Sequence, residues 1–429
     1  MLLAGFILPH PPLIIPDIGK GEEKKIERTI DAYHTVAKKV AQLKPKTIIV
    51  ITPHHVNYQD YFHITSVSEV YGQLRQFGSQ WSVELDCQDL FVDEFQKMHP
   101  DFPAGPEGSH QSELDHGVMV PLYFIHQYYQ DYKLIRLAYS GLSLEKHYEY
   151  GKRIRETMDN MGESYVVIAS GDLSHKLKKD GPYGYVKEGP EFDHTITDYM
   201  KQGDFQRMMA MDRHFTNKAA ECGLRSFIIL GGILDQQSYD AELLSYEGPF
   251  GVGYAVAEYV IQDPYRLLAK KTIELYLKEG KKYKLTSSLP EDMLKKQAGV
   301  FVSLKKRGQL RGCIGTIQPT TNSIADEIIQ NALSAAFQDP RFPPLEKDEL
   351  SSITYSVDVL KEAERINSIS QLDPSKYGVI VKNKYKSGLL LPRLEGVNTI
   401  EHQLAIAKQK AGIYEDEDYE MYRFEVIRH

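Results

Sequence analysis

The strongest constraint on this chain is a repeated punctuation: apolar runs of strand length, each followed within a few residues by histidine. "LLAGFIL" leads to Pro9-His10, "TIIVIT" to Pro53-His54-His55, and "YVVIASGDLS" to His175. Segments of helical length and pattern lie between them, such as "GEEKKIERTIDAYHTVAKKVAQL" and "SLEKHYEYGKRIRETMDNM". Strands this apolar, separated by helices, predict an α/β fold with a largely parallel sheet flanked by helices on both faces. In open sheets of that kind, ligands bind beyond the carboxyl ends of the strands. The histidines at those ends are therefore expected to meet, although they lie far apart in the chain.

A fourth run, "AELLSY", ends in Glu247. Two neutral imidazoles and one carboxylate on one face of a metal leave positions open for substrate and oxygen, the ligand set of non-haem Fe(II) chemistry. His10, His54 and Glu247 fit that set, with His55 as the alternative ligand on its strand. His175 is left as a nearby acid/base. The ordinary reading of any single strand-end histidine is a capping or surface residue, and it is the recurrence of ionisable groups at equivalent ends that points to a metal. "GSHQSELDHGVMVPLYFI" adds His110 and His116. His116 belongs either to the hydrogen-bonded first turn of a buried helix or beside a substrate oxyanion. Asp172 is expected to orient a ligand imidazole or to cap a helix after Gly171. "GPYGYVKEGPEFD" reads as an ordered surface loop, with a tyrosine-rich lid as the alternative.

Of the 15 histidines, only His402 and His429 lie beyond residue 214, so the chemistry of the chain is concentrated in its first part. Asp263 before Pro264 marks a helix start and places a boundary there, giving domains 1–262 and 264–429. The second part mixes helices with hairpins and predicts α+β. In "AGVFVSLKKRGQLRGCIG" a hairpin turn is expected near Arg307-Gly308. Cys313, between Gly312 and Gly315, reads as a buried structural cysteine. The alternative is a reactive thiol whose pKa Arg311 lowers.

Composition excludes several functions. A net charge of −8 opposes a general nucleic-acid surface. Three cysteines (Cys87, Cys222, Cys313) offer no disulfide framework. The opening "GFILPHPPLIIPDIG" is too broken by proline to be a secretion signal. No run approaches the roughly 18 apolar residues of a membrane span. A cytoplasmic location without membrane association is expected.

"LPHPPL", "TPHH", "ELDHGVMVPL", "SGDLSH" and "YEGPFGVGY" together resemble the class III extradiol ring-cleavage dioxygenases and the related Memo proteins, over essentially all of residues 1–262. That resemblance implies metal ligands at His10, His54 and Glu247, an acid/base at His175 and a substrate-contacting histidine at His116. It further implies Fe(II), with zinc or copper as alternatives, and O2-dependent ring cleavage of a small catechol-like aromatic. Memo proteins keep similar histidines but differ at the carboxylate position. "LRGCIGT", "AFQDPRFPPL" and "GLLLPRL" resemble the AMMECR domain over residues 264–429. The fusion of the two is similar to the protein A type of the AmmeMemoRadiSam system, which implies a radical-SAM protein partner. The competing reading is thus a metal-binding accessory or redox module for such a partner, without dioxygenase activity.

Overall fold

The computed structural model describes residues 1–108, 112–285, 289–394, 396–414 and 417–429, so His110 lies outside the described residues. They form two compact units, Met1–Ile261 and Gln262–His429.

The first unit is built on six strands: β1 (Leu2–Leu8), β2 (Thr47–Thr52), β3 (Lys133–Ala138), β4 (Tyr165–Ser170), β5 (Tyr239–Glu247) and β6 (Tyr254–Ile261). Their order in the sheet is β3-β2-β4-β1-β6-β5. The first four run parallel, while β6 is antiparallel to both β1 and β5. Five helices flank the sheet: α1 (Glu27–Leu43), α2 (His116–His126), α3 (Leu144–Met161), α4 (Glu188–Gln202) and α5 (Leu224–Ile233). Alternate residues of each strand enter opposite cores. Ile49, Ile51, Val167 and Ala169 pack with Tyr150 and Ile154 of α3 and Phe227 of α5. Ile48, Val50, Val166 and Ile168 pack with Val36 and Val40 of α1 and Val118 and Leu122 of α2. Burial on both faces is why these strands read as unbroken apolar runs rather than as alternating ones. "GVGYAVAEYV", which admitted a strand or a helix start, is antiparallel strand from Tyr254 onward.

The second unit contains two four-stranded sheets. Its strands are β7 (Val300–Lys306), β8 (Gln309–Gly315), β9 (Ile353–Leu360), β10 (Glu364–Ile366), β11 (Gly378–Lys382), β12 (Ser387–Leu390), β13 (Glu420–Phe424) and β14 (Val426–Arg428). The orders are β8-β7-β9-β14 and β10-β13-β11-β12. Helices α6 (Pro264–Glu279) and α7 (Ile324–Phe337) cover the first sheet, and α8 (Ile400–Ala411) packs on the second. The Asp263 carboxylate accepts from the Tyr265 and Arg266 N–H groups and so caps α6. Arg307 and Gly308 both take positive φ, 51° and 83°, and close the β7–β8 hairpin as a two-residue turn.

Candidate metal centre

The parallel strands deliver their chain ends to one edge of the first sheet, and the loops there assemble the site. His10 follows β1 after a single proline and is 2% exposed. His54 follows β2 in the same way and is exposed on one side. Their rings meet edge to face at 4.7 Å, with the Nε2 atoms 2.9 Å apart. The third donor is one the sequence reading passed over as a metal ligand. Cys222 lies in the turn before α5, its Sγ 3.6 Å from His10 Nε2. The three donor atoms all lie within 4.8 Å of one another.

Close backbone contact brings that turn in. A Cβ on Gly171 would lie 2.1 Å from the Gly223 Cα, so the loop after β4 and the turn before α5 touch through glycine alone. The Asp172 N–H then donates to Cys222 Sγ at 3.3 Å, and the Cys222 N–H donates to the Asp172 carbonyl at 3.3 Å. The Asp172 carboxylate takes neither role expected of it: it accepts from the backbone N–H of His10 at 2.8 Å. The imidazole of His10 is oriented instead by Ser170. Ser170 Oγ donates to the Gly117 carbonyl at 2.6 Å, so toward His10 Nδ1, 2.9 Å away, it accepts. That fixes the proton on Nδ1 and leaves a lone pair on Nε2, the tautomer a metal ligand requires.

His116 opens α2 and joins the cluster, its ring 4.1 Å from that of His54 and 5.3 Å from that of His10. Its backbone is in the first turn of a buried helix, as one of the two readings had it, and its ring faces those of His54 and His10. His175 stands half-buried beside them. Its Nδ1 is buried with no hydrogen-bond partner among the described residues, and its ring meets that of Tyr183 edge-on at 5.2 Å. Tyr183 is 60% exposed, so the tyrosine-bearing loop sits at the surface with one ring against the site. His55 points the other way, toward His63 at 4.9 Å.

Glu247 is not brought to these donors. Its Oε2 accepts from both the N–H and the hydroxyl of Thr29, each at 2.8 Å, in the first turn of α1. The physical reason is the sheet order. Strand β5 is the outer edge, two strands from β1, which is about 10 Å at the usual interstrand spacing. A helix N-terminus with unpaired N–H groups lies closer to that carboxylate than the histidines do.

Every imidazole of the cluster is held neutral. Burial lowers His10 well below the usual histidine range, and His54, His116 and His175 push in the same direction. His54 falls to about 4, through desolvation and then its neighbour His116; its exposed edge moderates the first of these. Desolvation also lowers His116 and His175. The Cys222 thiol goes well up, through burial and then Asp172, so on its own it is protonated. Two imidazole lone pairs and a thiol that needs a cation to ionise form a donor set suited to a divalent ion, which deprotonates a thiol on binding. Bonds of about 2.0–2.1 Å to nitrogen and 2.3 Å to sulfur set tetrahedral donors about 3.3–3.6 Å apart. The observed 3.6 Å between His10 Nε2 and Cys222 Sγ matches that spacing, while the two Nε2 atoms, 2.9 Å apart in direct contact, would open by about 0.4 Å around an ion.

Cys313 in the second unit is differently placed. Its N–H donates to Asp339 Oδ2 at 2.8 Å, its carbonyl accepts from Arg341 at 3.0 Å, and its Sγ is 3.1 Å from Ser303 Oγ. Arg311, the expected activator, donates instead to both carboxylate oxygens of Glu349, at 3.0 and 2.9 Å. "DPRF" thus braces the strand that carries "RGCIG".

A protein of Clostridium acetobutylicum is 42% identical over 100% of this chain and 99% of its own length. A protein of Thermotoga maritima is 52% identical over 39% of this chain and 98% of its own. The crystal structure of an uncharacterized protein from Pyrococcus horikoshii covers 38% of this chain and 88% of that one, at 32% identity and a TM-score of 0.36. The model of the AMMECR1 family matches residues 267–429. That of the catalytic LigB subunit of aromatic ring-opening dioxygenase matches residues 4–257, which contain every residue of the histidine cluster. The chain belongs to the LigB family, and carries an AMMECR1 domain as its second part.

Proposed function

We propose that the first domain is a metal-dependent oxidoreductase whose ion is held by His10 Nε2, His54 Nε2 and Cys222 Sγ. The observation that carries this is the convergence of those three atoms. A thiolate in the third position is a softer donor than a carboxylate, so zinc and copper suit the set alongside Fe(II). When bound, the ion supplies a Lewis-acidic and, for iron or copper, redox-active centre for a small substrate and O2.

The protein's own groups supply the rest. Ser170 holds the His10 ring in its ligand tautomer. His175, kept neutral by burial and with Nδ1 unpartnered, accepts a proton from a substrate hydroxyl and returns it. His116, its ring tilted 31° to that of His54, contacts a substrate oxygen. The LigB description supports a catechol-like aromatic as that substrate. Cys222 in place of a carboxylate favours a second reading, a redox or metal-carrying module serving a radical-SAM partner in the cytoplasm.

The test is metal analysis of anaerobically purified full chain, followed by O2 uptake with a panel of catechols. His10→Ala and Cys222→Ala are expected to lose the metal. Its retention by both variants would remove the basis of the proposal. Full metal occupancy without O2 uptake on any catechol selects the module reading.

A further inference from the structure

The AMMECR1 domain has no role in the reading above, yet it contains a cavity of about 1190 Å3. The cavity opens over the seam where its two sheets meet. Leu360 at the end of β9, Ile380 of β11 and Phe424 of β13 are each at most 7% exposed and belong to one apolar cluster. The same side chains line the cavity, which therefore has an apolar floor contributed by both sheets.

Its rim is charged. Lys296, Lys361 and Lys382 come from three separate stretches of chain, against Asp292 and Glu362 as the acidic members. Two of the lysines already have carboxylate partners: Lys296 with Asp292 at 2.8 Å and Lys361 with Glu425 at 2.7 Å. Both pairs are solvent-exposed, and such pairs contribute little and yield readily to an incoming anion. Lys382 has no carboxylate partner among the described residues. Its ammonium lies 4.3 Å from the centre of the Tyr422 ring, another member of the lining. Three lysines against Asp292, Glu362 and Glu425 balance overall, and the positive end of the mouth is Lys382, over the Tyr422 ring. An apolar floor with a few convergent polar groups is the usual constitution of a small-molecule site.

We propose that this cavity binds a small amphiphilic anion, its apolar body against Leu360, Ile380 and Phe424 and its carboxylate or phosphate at Lys382. The floor selects for a hydrophobic body, and Lys382, the rim lysine without a carboxylate partner among the described residues, selects for the head group. Lys361 adds a second contact once Glu425 is displaced.

The experiment uses the full chain and the fluorescent anion 1-anilinonaphthalene-8-sulfonate, beside its uncharged relative N-phenyl-1-naphthylamine. Lys382→Gln is expected to weaken the anion at least fivefold and to leave the uncharged probe within twofold. Ala363→Trp, which fills the cavity from its lining, is expected to abolish the saturable site for both probes. Thermal melts of each variant within a few degrees of the parent confirm that the fold is kept. Displacement of the probe by 1-naphthoate or by 1-naphthyl phosphate supports the site, and the stronger competitor identifies the head group. Probe binding unchanged in both variants, or displacement by neither competitor, overturns the proposal. The metal content of the first domain is expected to be the same in either variant as in the parent, so failure here is separable from failure of the metal site.

Discussion

Cys222 and Cys313 are both free cysteines in glycine-rich turns or strands, and their surroundings make them opposites. Around Cys313 every neighbouring polar group has a partner: Asp339 takes its N–H, Arg341 its carbonyl, Ser303 its sulfur. Cys222 Sγ instead accepts one backbone N–H, from Asp172, and faces His10 Nε2 at 3.6 Å, which itself lies 2.9 Å from His54 Nε2. The lesson is that a cysteine's chemistry is set by what its neighbours leave unsatisfied, more than by its own exposure.

Several measurements would break or sharpen that contrast. The largest effect expected is on metal content: Cys222→Ala loses the ion, while Cys313→Ala retains it in full by elemental analysis. Equal loss in both would erase the distinction. Next comes the frame around Cys313. Asp339 is 2% exposed on its side chain and forms a bidentate pair with Arg341. Asp339→Ala leaves the Cys313 N–H without its acceptor, while Arg341, 54% exposed, turns to solvent, and is expected to lower the stability of the second unit by about 1–2 kcal/mol in denaturant titration. The pH dependence carries the same signature. Hydrogen bonding to Arg341 lowers Asp339 to about 2, and Arg311 does the same for Glu349. Both carboxylates are ionised in the unfolded chain only above about pH 4. Their stabilisation is therefore complete above that pH and is lost as pH falls from about 4 to 2, which acid titration of the second unit's unfolding transition would register.

A smaller effect tests how Cys222's partner is held. Ser170→Ala frees the His10 ring from its tautomer, and metal affinity is expected to fall by about 10–100-fold. Competition with a chelator reads this directly, and an unchanged affinity would mean that Ser170 only fills space. The smallest effect belongs to Glu247. As a cap on α1, Glu247→Gln is expected to cost about 1 kcal/mol of stability with metal content unchanged. Loss of the metal in that variant would restore the carboxylate to the ligand set.

Much of the first sheet was legible because its strands are buried on both faces. "TIIVIT" and "YVVIAS" admit no other placement, and the parallel arrangement carries their following histidines to one edge. His10, His54 and His175 followed from that geometry alone. Strand order did not, and Glu247 shows the consequence: it ends a strand at the correct edge of the sheet, but on the outermost strand, where a helix terminus takes its carboxylate. Cys222 escaped because it follows no strand. The available signal was the "ECG" step directly before the largely apolar "LRSFIILGG", a polar turn abutting a buried helix. Local pattern placed the Asp263 cap and the Arg307-Gly308 turn, since both depend on adjacent residues only.

The three donors of the metal site are separated by 44 and 212 residues along the chain. Contacts so distant in sequence form late, after the loops between them have closed. The unfolded chain thus presents no site, and the ion stabilises the native state alone, by an amount that grows with its free concentration. On the proposed reading the protein folds first and takes up its metal afterwards, so the ion is chosen by whichever compartment holds the finished fold.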